Sequence, residues 1–192
     1  MQTNKNEYYP WGGDFTIGSR TGCTAVVLLT TDYSPPDSVA IYGPLKTENI
    51  GIEKIVANVI SNPHIRYLIV CGEEIRGHRA GASLLALYRN GIDKHHRIID
   101  APGAIPYIEN LKEEALKRFQ KQVRILDLIG TTDTKKIDGE IHECHAQQPP
   151  PFGKPYIAVR ITPKATAATG DDRALHSRIK MSYMGKIRKR ES

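Results

Sequence analysis

His78 is the side chain of this sequence whose type and setting most readily suggest chemistry. It stands in CGEEIRGHRAGASLLAL, residues 71–87, flanked by Gly72, Gly77 and Gly81, with Glu73, Glu74 and Ser83 close by. Glycine leaves backbone bare, so a flat or bulky ligand can lie against it. An imidazole in such a loop can offer one ring nitrogen to a metal while a carboxylate holds the other, and Glu73 and Glu74 are the local acceptors. The plainer reading is a turn histidine at the start of a helix. Zinc sites draw three or four protein ligands, Cys or His at set spacings, and no such set surrounds His78. A metal held by His78 would therefore take its other ligands from a macrocycle, which points to haem or a corrinoid.

Other constellations are weaker. GPLKTEN, 43–49, pairs Lys with Thr before a helix, but Ala40 and Leu45 stand where a phosphate loop needs glycine. It reads as a strand-to-helix turn whose Gly43, Pro44 and Leu45 could join the ligand floor. PGAIPYIEN, 102–110, reads either as a Pro-rich turn or as a second loop at the same edge, offering Gly103, Ala104, Ile105 and Pro106. HECH, 142–145, sets His142 and His145 three apart beside Cys144; without a fourth ligand it reads as a solvated helix end. His95 and His96 read as a polar loop.

The elements that must position these residues follow from periodicity. TAVVLLTT, 24–31, and RYLIVC, 66–71, read as strands buried on both faces. Between them Ile52, Ile55, Val56, Val59 and Ile60 form one helical stripe, with Thr47 as N-cap and Pro63 as stop. A second helix spans Ala82 to Arg89 and closes at Gly91. RIID, 97–100, reads as a short strand, Asn110 and Glu113 as a capping-box start to a helix through about Gln122, and RILDLI, 124–129, as the next strand. Asp133 or Thr134 opens a last helix, carried by Ile137, Ile141 and Cys144 on one face. This alternation predicts an α/β fold, a Rossmann-like open, mostly parallel sheet with helices on both faces. In such sheets ligands gather at the carboxyl edge of the strands, where His78 falls.

The chain has 192 residues, 40% of them hydrophobic, enough for one well-buried domain. We expect that domain over 1–146, a Pro-rich linker able to add one edge strand over 147–162, and a basic, disordered tail over 163–192. The net charge of +6 is concentrated in Arg173, Arg178, Lys180, Lys186, Arg188, Lys189 and Arg190. Apolar runs reach only about seven or eight residues, short of a membrane span, and MQTNKNEYYPW lacks a signal-peptide core. Three unpatterned cysteines fit a reducing cytoplasm.

IYGPLKTENIGIEKIVANVISNPHIRYLIVCGEEIRGHRAGASLLALYRNGID, followed by RIIDAPGAIPYIENL and RFQKQV, closely resembles the A subunit of the tetrahydromethanopterin S-methyltransferase of methanogenic archaea. The likeness runs from about Pro10 and Trp11 to about Cys144. It implies a cobamide whose cobalt takes His78 as its lower axial ligand, making His78 the catalytic and metal-binding residue. It implies too that cobalt accepts a methyl group from methyl-tetrahydromethanopterin and passes it toward coenzyme M, through other methyltransferase subunits. Gly72, Gly77, Gly81, Ser83, Gly43, Pro44, Leu45, Gly103, Ala104, Ile105 and Pro106 become the expected cofactor floor. Membrane-bound members end in a transmembrane helix, whereas ALHSRIKMSYMGKIRKRES, 174–192, cannot span lipid, so a soluble, cytoplasmic homologue is expected. The wider cobalamin-domain signature has Asp where Arg76 stands, so the resemblance is to this type of subunit alone. The alternatives are a cobamide-binding or regulatory module without turnover, or a basic tail that binds nucleic acid or an anionic surface; nucleic acid is not an expected partner under the main reading.

Overall fold

The computed structural model describes residues 8–159, 179–181 and 187–189. Within them the order is β1 (Thr16–Ile17), β2 (Thr24–Leu28), β3 (Ile41–Pro44), α1 (Ile50–Ser61), β4 (Tyr67–Gly72), α2 (Ala80–Asn90), α3 (Glu113–Gln122), β5 (Arg124–Ile129), α4 (Thr134–Ala146), β6 (Ile179–Met181) and β7 (Ile187–Lys189). Five strands form one sheet in the order β1-β3-β2-β4-β5. All neighbours are parallel except the edge pair β1 and β3, where Thr16 opposes Tyr42. The fold is thus an open, mostly parallel α/β sheet, as the alternation predicts.

The core splits by strand parity, because successive side chains leave a strand on opposite faces. Ala25, Val27, Leu68 and Val70 pack with Ile52 and Val56 of α1, Leu84 and Leu87 of α2, and Leu116 and Phe119 of α3. Val26, Leu28, Ile69 and Cys71 face Ile137 and Ile141 of α4, together with Tyr33 and Val39 from the β2–β3 connection. Three helices therefore cover one face and α4 the other.

Several boundaries differ from expectation. The strand expected at 24–31 ends at Leu28, and β3 was not foreseen as a strand. Helix α1 starts at Ile50 instead of after Thr47: the Thr47 hydroxyl accepts from Gly51 N–H, while Asn49 caps Ile50 N–H. RIID is not a strand of the sheet. Asp93 Oδ1 accepts from the N–H groups of His95 and Arg97, and Ile98 N–H donates to Pro106, which curls the segment into a loop with isolated bridges only. Asn110 does not cap α3, whose N-cap is Lys112; Asn110 is drawn off to Glu53, to which its N–H and its side-chain amide both donate. Gly91 closes α2 at φ +73°, Asp133 caps α4, and β5 falls at the expected residues. Residues 156–159 carry no strand, while 160–162 and most of the basic tail lie outside the described residues. Of that tail, β6 and β7 pair antiparallel, Lys180 opposite Arg188.

Candidate functional site

At the carboxyl edge of the sheet the chain leaves β2 toward β3 on one side and β4 toward β5 on the other. Connections that diverge in this way open a crevice above the strand ends. Three loops meet there: 45–49 after β3, 73–79 after β4, and 99–106 between α2 and α3.

The loop after β4 is shaped by its backbone. Gly72 ends the strand at φ +96° and Gly77 turns at φ +90°, followed by Arg79 at φ 43°. The N–H groups of His78 and Arg79 both donate to the Ile75 carbonyl, closing a tight turn that lifts His78 to the surface. Its side chain is 56% exposed. His78 Nδ1 lies 3.1 Å from Glu48 Oε2, and that carboxylate is only 5% exposed. Glu48 Oε1 accepts from Ile105 N–H at 3.0 Å. One buried carboxylate thereby ties all three loops together. Nε2 of His78 has no hydrogen-bond partner among the described residues.

Electrostatics keep that carboxylate charged. Burial pushes the Glu48 pKa up, but hydrogen bonds from its own backbone N–H, from Ile105 N–H and from His78 outweigh it, and the net shift is downward. An ionised acceptor facing Nδ1 fixes the tautomer with the proton on Nδ1 and the lone pair on Nε2. The site can thus present one oriented imidazole nitrogen to a ligand.

The acceptor is not the one local sequence suggests. Glu74 turns inward and accepts from Ala82 N–H in the first turn of α2, which has no N-cap side chain. The Glu73 carbonyl accepts from Thr30 N–H and hydroxyl. Glu48 lies 30 residues before His78, and only its place in a turn entering α1 could have hinted at it.

The expected floor residues divide. At Gly77 an added Cβ would meet nothing within 4 Å, so its bareness faces open space. Gly72 and Gly81 lie instead against the chain itself, an added Cβ coming within 3.0 Å of Thr31 Cγ2 and 2.8 Å of Leu29 Cδ1 respectively. Ser83 is buried, its hydroxyl donating to the Arg79 carbonyl and accepting from Gly103 N–H. Gly103 is a three-way joint: a Cβ there would stand 2.8 Å from Glu48 Cγ, from the His78 carbonyl and from Ser83 Oγ. Ala104 is exposed, Ile105 half-buried and Pro106 buried beside it. Gly43 lies under the Asp14–Phe15 strap, Leu45 is in the core, and Pro44 is exposed. Ile75 and Ile99, on two of these loops, are 45% and 38% exposed. Among the described residues no three His, Cys, Asp or Glu side chains gather as a metal site, so His142, Cys144 and His145 do not converge on one point.

Comparison with known proteins bears on this arrangement. A sequence model of the MtrA family, the A subunit of tetrahydromethanopterin S-methyltransferase, matches residues 2–169. The A subunit of the putative methyltransferase Mtx of Methanosarcina barkeri is 46% identical over 147 residues, 77% of this chain and 75% of that protein. Form 1 of the tetrahydromethanopterin S-methyltransferase A subunit of Methanothermobacter thermautotrophicus is 42% identical over 164 residues, 83% of this chain and 69% of its own. The corresponding A subunit of Methanosphaera stadtmanae is 48% identical over 141 residues, 71% of this chain, and the match spans 57% of its length. Among the described residues no helix is long and apolar enough to cross a membrane.

Proposed function

The chain belongs to the MtrA family of tetrahydromethanopterin S-methyltransferase subunits, and from that premise we propose that it binds a cobamide through His78 and serves as the methyl-carrying component of a methyltransferase. The observation that carries this reading is the His78–Glu48 pair: an exposed imidazole whose Nδ1 is held by a buried, ionised carboxylate and whose Nε2 has no partner among the described residues.

The donor set fits such a group. A cobalt macrocycle that brings ring nitrogens of its own would need one further donor from the protein, and His78 Nε2 would supply it. Gly77 leaves the loop bare beside His78, and the exposed Ile75 and Ile99 give apolar surface that a macrocycle would cover. When bound, the cobamide supplies a cobalt able to take a methyl group and give it up again. The protein's part is to hold and orient His78. Glu48 keeps the proton on Nδ1 and makes Nε2 a stronger donor. Ile105 N–H and the Ser83–Gly103 contact fix Glu48 and the loop in turn.

The methyl donor and acceptor proposed are methyl-tetrahydromethanopterin and coenzyme M, reached through other subunits of such an enzyme. The test is an ultraviolet-visible titration of the cofactor-free protein with a cobamide, beside His78→Ala. The expected result is saturable binding with an imidazole-coordinated cobalt spectrum that the substitution abolishes. Identical spectra for the two proteins would remove His78 as ligand. A bound cobamide that no methyl-pterin can methylate, with partner subunits present, would make the protein a cobamide store or sensor.

A further inference from the structure

A cavity of about 240 Å³ lies between α1, the 13–15 strap and the β3–β2–β4 part of the sheet, apart from the His78 turn. Its walls are apolar: Phe15, Val27, Ile41, Ile55, Val59 and Leu68 line it. Its polar lining consists chiefly of two cations, Lys46 and Lys54, with Asp14, Thr47 and Asn58 beside them.

The N-terminal strap keeps this space open. Tyr9 N–H donates to Ser61 Oγ at 2.9 Å, and Trp11 is clasped by Asn58, which accepts from its N–H and donates to its carbonyl at 2.9 and 2.7 Å. Beyond the gap, Thr16 pairs with Tyr42 of β3. Between these two anchors run the exposed Gly12 and Gly13, of which Gly13 lines the cavity; an added Cβ there would meet Phe15 Cδ1 at 3.6 Å and Lys54 Cδ at 3.8 Å. The strap crosses β3 at Gly43, where a Cβ would stand 2.5 Å from the Asp14 carbonyl, so it cannot sink further. Backbone contact at Gly43 and the clasp of Trp11 by Asn58 thus fix the strap at the rim of the cavity.

The two cations outnumber the one carboxylate of the lining, Asp14. Lys46 pairs at 2.6 Å with Asp14, but both side chains are mostly exposed, so the pair is weak and exchangeable. Lys54 is half-buried and forms no ion pair among the described residues. The cavity's volume falls below the ~300–1,000 Å³ typical of sites for drug-sized ligands, which suits one or two fused rings.

We propose that this cavity binds a small flat apolar ring carrying a single anionic group, the ring between α1 and the sheet and the anion at Lys46 and Lys54. Two sources share that chemistry. One is a free aromatic anion. The other is the nucleotide arm of a cobamide: if His78 fills the lower position of cobalt, the cofactor's own base must lie elsewhere, and Lys46 and Thr47 of the cavity lining lead directly into Glu48. The cavity itself stands on its own geometry; only the second source rests on the function proposed above.

The test is calorimetric titration of the full chain, without cofactor, with 2-naphthalenesulfonate. One saturable site is expected; Ile55→Trp, which fills the space, should abolish it, and Lys54→Glu should weaken it about fivefold or more. No saturable binding, or binding unchanged in both variants, overturns the proposal. Repeating the titration with saturating cobalamin, and with cobinamide, which lacks the nucleotide arm, separates the sources. Competition by cobalamin alone assigns the site to the arm. Competition by neither leaves the cavity a site for a free anion. Failure of cobalamin to bind at all, read by absorbance, would sink the His78 reading and leave the naphthalenesulfonate result intact.

Discussion

Glu48→Gln isolates what the buried carboxylate does for His78. The side chain keeps its size, but loses its charge and one of its two acceptor oxygens, so the Nδ1–H of His78 and the N–H of Ile105 compete for a single amide oxygen. A hydrogen bond to a charged group contributes about 1.5–3 kcal/mol and a neutral one about 1. The difference, about 1–2 kcal/mol, corresponds to roughly tenfold weaker axial coordination, each 1.4 kcal/mol being a factor of about ten. The assay is the absorbance titration described above, with free imidazole as competitor for the axial position. Glu48→Gln should be displaced by roughly tenfold less imidazole, with Glu48→Asp intermediate. Equal displacement in wild type and Glu48→Gln would refute the argument. The pH dependence has a definite sign. The folded pKa of Glu48 is below its ordinary value of 4.5, so its charge stabilises the fold above that value, and the contribution is lost as pH falls through the lowered one. Glu48→Gln should therefore show a flatter loss of melting temperature below that pH.

Three further outcomes are expected. Gly103→Ala places a methyl group against Glu48, His78 and Ser83 at once, which should cost about 1–3 kcal/mol in urea unfolding and weaken cobamide binding; a neutral effect would mean the three loops are not braced there. Gln122 is buried and its amide faces the carbonyls of Val59, Asn62 and Ile65 at the end of α1, so Gln122→Ala should destabilise by about 2–3 kcal/mol, and a change under about 0.5 kcal/mol would contradict its role. Burial pushes the thiols of Cys71 and Cys144 up to about 11, so iodoacetamide at about pH 8 should leave both unmodified in the folded protein and alkylate them in urea; rapid native labelling of either, located by peptide mapping, would count against that.

Periodicity along the chain was enough to set much of the architecture. β4 and β5 are short apolar runs, and the stripes of α1 and α4 follow the helical spacing of about 3.6 residues, so local pattern alone assigns them. Pattern failed where side-chain partners outside the segment decide the backbone. RIID has strand composition, yet Asp93 and Pro106 take its hydrogen bonds and make it a loop. Asn110 has the look of a helix cap, but Glu53 claims it.

The candidate site divides along the same line. His78 was legible because glycines and the end of an apolar strand mark a carboxyl-edge loop, whatever lies around it. Its partner was not: charge and proximity in sequence favour Glu73 and Glu74, while the fold sends Glu74 to cap α2 and brings in Glu48 from 30 residues away. Likewise the glycines announce only absence of a side chain. Whether that absence serves a ligand, as open space at Gly77 allows, or a neighbouring loop, as at Gly81 and Gly103, depends on what stands within 3.0 Å. Residue type and spacing were sufficient to say which side chain can donate a nitrogen and at which edge of the sheet. What orients that nitrogen emerged with the packed loops, because a carboxylate's partner is set by burial and distance, and neither is a local property of the chain.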